Sequence, residues 1–95
     1  DPPLTGPLRI ELTFNFKRPK YHFRTGRYKN EIKEKYKNQK HVCTPDTDNL
    51  IKFALDAMNK MMYKDDSQVV SIVANKNYID SNETEGITIV HIEEC

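Results

Sequence analysis

The stretch PDTDNLIKFALDAMNKMMYKDDSQVV, residues 45–70, carries five aspartates: Asp46, Asp48, Asp56, Asp65 and Asp66. Like charges repel, so carboxylates at this density need a positive partner. No Cys or His spacing of the zinc type accompanies them, and hard oxygen donors favour Mg²⁺, with Mn²⁺ as a substitute. Magnesium takes one or two carboxylates and keeps several waters, which leaves positions for a phosphate. Two such ions about 3.5–4 Å apart activate water and stabilise the leaving oxygen in phosphodiester cleavage. Lys52, four residues after Asp48, can hold the phosphate or stabilise developing negative charge. The competing reading gives the aspartates to helix capping and dipole complementarity, worth about 0.3–1 kcal/mol each. A lone D-x-D fits that reading better, whereas D-x-D-N-x-x-K followed by D-D is more specific. A structural Ca²⁺ module is a third reading, but the EF-hand glycine and terminal glutamate are missing.

These residues need a helix to position them. Leu50, Phe53, Ala54, Ala57, Met58, Met61 and Met62 recur at helical spacing and predict one apolar stripe for the core. Asp46, Thr47 or Asp48 can serve as N-cap. Asp48, Lys52 and Asp56, at i, i+4 and i+8, line the polar face. Asp65 and Asp66 precede a predicted strand at 69–74, with Val70, Ile72 and Ala74 facing one way and Val69, Ser71 and Val73 the other. Antiparallel packing of helix and strand puts that strand's start near the helix C-terminus. At about 1.5 Å per residue, Asp66 then lies roughly 20 Å from Asp48. Spacing alone leaves it outside the site.

PLRIELTFNF alternates as a half-buried strand over 8–16, and ITIVHIEE reads as a final strand. The order strand, loop, helix, strand, strand predicts an α+β domain, a small mixed sheet with one main helix packed on it. All 95 residues fit a single domain near the low end of what buries its own core. The composition, 37% apolar and 31% charged, suits a soluble chain. Neither a membrane-spanning run nor a secretory signal is visible, and Cys43 and Cys95 lack metal-ligand spacing. A reduced intracellular protein with no membrane partner is expected. The chain starts DPPLTG without Met, as expected of part of something longer.

A net charge of +1 hides a strong asymmetry. Residues 17–40 hold ten lysines and arginines against Glu31 and Glu34, and the rest of the chain is net acidic. A basic segment joined to an acidic site suits a polyanion held by one part and processed by the other. The bland alternative is a solvated loop. Pro19 and Gly26 interrupt the segment and aliphatic residues are few, so it reads as a long mobile loop.

The block from Pro45 to Lys76, with P-D-x-D-N-L-x-K, then L-D-A, then D-D-S-Q-V-V and a closing lysine, resembles the RusA family of Holliday-junction resolvases. The resemblance implies a homodimeric, Mg²⁺-dependent endonuclease that nicks four-way junction DNA symmetrically in recombination and repair. It implies Asp46, Asp48 and Asp66 as metal-binding and catalytic carboxylates, and Lys52 as the catalytic lysine. It thus brings Asp66 into the site, from the same chain or from a dimer partner. Asp56 takes a supporting role and Asp65 is a second-rank candidate. The family has a strand and helix ahead of the strand at 8–16, and those are expected to be missing here. The basic segment becomes a DNA-contacting arm, with Arg18, Lys20, Arg24, Arg27 and Lys29 on phosphates, as also expected of Lys76. Tyr21, Phe23 or Tyr28 can stack on unpaired bases or simply anchor the loop. An inactive junction-binding protein on the same fold is the alternative, and retention of all three aspartates and Lys52 argues against it.

Overall fold

The structure, a computed structural model, describes residues 2–82 and 84–95. Strand β1 (Leu8–Lys17) is followed by a long segment with three short 3₁₀ turns, then helix α1 (Thr47–Met58), strand β2 (Val69–Ile79) and strand β3 (Ile87–Glu94). The sheet order is β2-β1-β3, with β1 parallel to β2 and antiparallel to β3. This is the expected α+β architecture, a mixed sheet of three strands with one main helix. No helix among the described residues is long and apolar enough to cross a membrane.

The alternation of β1 sets the core. Leu8, Ile10, Leu12 and Phe14 are buried, while Arg9, Glu11, Thr13 and Asn15 stay half-exposed on the other face. Paired on both edges, β1 is the central strand. Gly86 sits where the chain turns into β3, and a Cβ there would meet the Asn15 carbonyl oxygen at 3.0 Å. That approach is too close for any other residue without a local shift.

Two apolar patterns differ from expectation. In β2, Val69 pairs with Leu8 and Ser71 with Arg9, so Val70 is an extra residue, a bulge. The bulge flips the alternation. Val69 and Ala74, expected on opposite faces, both pack on the core, while Val70 is 65% exposed. In α1, the face toward the core is Ile51, Ala54, Leu55 and Met58 (i, i+3, i+4, i+7) with Leu50 beside it. Phe53, Met61 and Met62, expected in the core, are exposed at 75%, 74% and 51%. The helix stops at Met58 because Lys60 adopts a left-handed φ of 69°. The amides of Met61 and Met62 bond back to the Met58 carbonyl, leaving both side chains in a turn.

The segment between β1 and α1 is packed rather than a bare mobile loop. Arg18, His22, Phe23 and His41 are buried in it. The Arg18 guanidinium donates to Asp80 Oδ1 at 2.9 and 3.3 Å, to the Tyr36 carbonyl at 3.0 Å and to His22 Nδ1 at 3.2 Å. It also lies over the Tyr78 ring. Tyr36 stacks on His22 with ring centroids 4.3 Å apart. His41 packs between Phe16 and Tyr78. Burial first, and the Arg18 charge second, lower the His22 pKa and keep that ring neutral. With Nδ1 accepting from Arg18, the ring proton sits on Nε2. Arg18 is therefore a structural residue. Expected on a DNA phosphate, it is instead buried in this structure with its guanidinium paired to Asp80.

Candidate active site

Asp46 occupies the N-cap position of α1. Its carbonyl oxygen accepts the first helical bond, from Leu50, but its side chain makes no cap hydrogen bond. Capping is the ordinary use of an aspartate there. Asp48 lies in the first turn and Lys52 one turn further on. All three side chains are exposed, and none is hydrogen-bonded or ion-paired with another described residue. The D-x-D carboxylates are thus held on a fixed helix start and left free. Two unpartnered carboxylates are a fitting donor set for Mg²⁺, which needs one or two.

The lead-in to Asp46 is anchored from β2. Lys76 Nζ donates to the carbonyl oxygens of Cys43 at 2.8 Å and Pro45 at 3.0 Å. Because β1, α1 and β2 form a parallel β-α-β unit, the start of α1 sits toward the carboxyl ends of β1 and β2. That is where open sheets with such connections place their sites. Lys76, expected to contact DNA, is committed by these bonds to the backbone just before the D-x-D.

The second acidic pair divides. Asp65 caps the 3₁₀ turn Asp66–Gln68, accepting from the Ser67 amide and hydroxyl, while the Gln68 side chain accepts from the Asp65 amide. The Ser67 hydrogen bonds hold its carboxyl below the usual carboxylate range. Asp66 has a different partner, accepting from the hydroxyl of fully buried Tyr63 at 2.9 Å. That hydroxyl also lies 3.4 Å from the Leu55 carbonyl oxygen. Burial, and then the Asp66 carboxylate, push the Tyr63 pKa up, so the phenol stays a donor. Sequence reasoning missed Tyr63. A tyrosine directly after a Met-rich stripe and three residues before an aspartate was the available signal.

Asp66 lies beside Leu55, near the helix C-terminus, as the antiparallel packing of α1 and β2 predicts. The Tyr63 hydroxyl links Asp66 to Leu55, which lies seven residues, or about 10 Å of helix axis, beyond Asp48. Within one chain the carboxylates still do not meet. Among the described residues no group of three or more His, Cys, Asp or Glu is placed to hold one metal ion. A Tyr63→Phe protein is expected to lose about 1 kcal/mol of stability with the phenol's hydrogen bond. If Asp66 serves in catalysis, losing its orienting partner lowers activity about 10–100-fold. Full activity in a variant of lowered melting temperature would confine Tyr63 to the core.

Of the other expected DNA contacts, Lys20, Arg24, Arg27 and Lys29 are exposed. Arg24 pairs with Glu31 at 2.7 Å and Arg27 donates to the Tyr28 hydroxyl, both guanidinium groups lying over the Tyr28 ring. Phe23 is buried and anchors the segment, while Tyr21 is 59% exposed.

The chain thus combines a three-stranded mixed sheet, one main helix and a D-x-D-N-x-x-K start to that helix with both carboxylates free. Residues 1–90 match the family model of the endodeoxyribonuclease RusA, and the chain belongs to that family. It is also 34% identical, over 86 residues, to the uncharacterized protein YqaN of Bacillus subtilis (strain 168). That match covers 86% of this chain and 56% of the relative, so the chain spans little more than half of YqaN's length. No solved structure matches the chain.

Proposed function

We propose that this chain acts, as a homodimer, as a Mg²⁺-dependent endonuclease that resolves Holliday junctions by paired, symmetric nicks. Family membership supports the reaction class. The observation that carries the reading is the pair Asp46 and Asp48, exposed at a helix start and spent on no cap. Held by these carboxylates, Mg²⁺ would supply Lewis acidity at the scissile phosphate. Lys52, one turn along the same face, offers an ammonium to the phosphate oxygens as negative charge builds. Lys76 keeps the approach to Asp46 fixed, so that the carboxylates do not reorganise during the reaction. Asp66, aimed by Tyr63, joins the pair only in the assembled dimer.

Two considerations support a second copy. Symmetric nicking needs two sites related by a two-fold axis, which a C₂ dimer supplies. The single chain also leaves Phe53, Met61, Met62, Ile87 and Val90 exposed, an apolar area of the kind that marks interfaces. The test is a Mg²⁺ titration of nicking on a synthetic four-way junction, with a linear duplex of the same arm sequence as control. Nicks at symmetric positions that need Mg²⁺ or Mn²⁺ are expected. Junction binding without nicks at any concentration of either ion would overturn the reading in favour of an inactive binding protein.

A further inference from the structure

Beside the D-x-D lies a cleft of about 400 Å³ between residues 37–41 and the 76–80 stretch of β2 and its following turn. Lys37, Lys40 and Lys76 line it together with Arg18. The one carboxylate in its lining, Asp80, is already taken by Arg18. Lys40 is exposed and pairs with no described residue. Lys37 pairs with Glu34 at 3.0 Å, but that pair sits at the surface, with the glutamate side chain 88% exposed. Exposed pairs of this kind contribute about 0–1 kcal/mol and exchange readily for a stronger anion. The Asn38 and Gln39 amides add neutral donors, and His41 in the wall is held uncharged by burial and then by Lys76. Three ammonium groups thus surround one cleft with a single neutralised carboxylate among them, and such a concavity concentrates positive potential.

The location gives the cleft its meaning. Lys76 Nζ lines it and also touches the Pro45 carbonyl oxygen, one residue from Asp46. A strand whose scissile phosphate sits at Asp46 and Asp48 therefore brings a neighbouring phosphate to this opening. We propose that this cleft, through Lys37 and Lys40, binds the backbone phosphodiester that neighbours the scissile one on the same DNA strand. This rests on the reading of the chain as a junction endonuclease. It moves the principal phosphate contact from the first half of the basic segment to its end, where no residue was singled out from the sequence. The contact is to backbone alone, so it positions the strand without reading its sequence.

The test is the double variant Lys37→Gln, Lys40→Gln, both side chains being exposed so that the fold is kept. Binding of wild type and variant to a four-way junction and to a linear duplex is measured in EDTA, without cleavage, from 50 to 200 mM salt. Two lost phosphate contacts lower the salt slope by about 1.8, so the wild-type advantage shrinks about tenfold across that range. Equal affinities and equal slopes on both DNAs would overturn the cleft while leaving the endonuclease reading intact. A weaker variant on duplex, in a protein without junction preference, supports the cleft and counts against the junction reading. Absence of wild-type binding to either DNA overturns both.

Discussion

An Asp48→Asn protein is expected to bind a four-way junction at least as tightly as wild type and to nick it about 100–1,000-fold more slowly or worse, the loss typical for one preorganised electrostatic contact. Asparagine keeps the shape of aspartate and removes its charge. Since Asp48 is exposed and makes no hydrogen bond or ion pair with another described residue, the fold has no stake in that charge beyond the helix dipole, worth about 0.3–1 kcal/mol. The substitution thus separates structure from chemistry. A metal-binding carboxylate loses its ion, whereas DNA meets one negative charge fewer. The measurement pairs single-turnover nicking in Mg²⁺ with binding in EDTA. Undiminished nicking would remove Asp48, and with it the D-x-D site, from the mechanism.

Leu12→Ala should be the most damaging single truncation of the fold, at about 2–5 kcal/mol. Leu12 is fully buried at the middle of β1, between Ala74 of β2 and Val90 of β3. A central strand paired on both edges cannot move to close the cavity that the substitution opens. A domain of this size has a total stability of about 5–15 kcal/mol, so the loss is a large fraction of it. Leu12→Met, which conserves volume, should cost less than about 1.5 kcal/mol. Urea midpoints of the two variants check the contrast. A loss below about 1 kcal/mol for Leu12→Ala would mean that the β1 face is not the packed centre of the domain.

Much of this fold was legible because its signals are local. The alternation from Leu8 to Phe16 is a period of two written in adjacent residues, and β1 follows it. The D-x-D-N-x-x-K run placed Asp46, Asp48 and Lys52 on one helix start, since side-chain direction on a helix depends only on position. Two misread patterns share a cause. The alternation in β2 fails at Val70 because a bulge depends on the partner strand's register. The apolar spacing of α1 points on to Met62, although the left-handed Lys60 ends the helix first and the buried face turns toward Ile51 and Leu55. Phe53 and the two turn methionines are apolar but uncovered, and hydropathy cannot tell an interior residue from one awaiting a partner.

The basic segment is the clearest case of long-range control. Ten positive charges made it look like a uniform arm, yet Arg18 is interior, paired with a carboxylate 62 residues away. No local rule distinguishes that arginine from Lys20 two positions on. The sequence by itself determined the main strands, the helix and the placement of Asp46, Asp48 and Lys52 at the start of α1, because these rest on neighbouring residues. Only the tertiary structure decided which charges remain available. It assigned Arg18 to Asp80, Lys76 to the lead-in of Asp46, Asp65 to a cap and Asp66 to Tyr63. A charge is functional only when nothing nearby has already neutralised it, and what lies nearby is set by the fold.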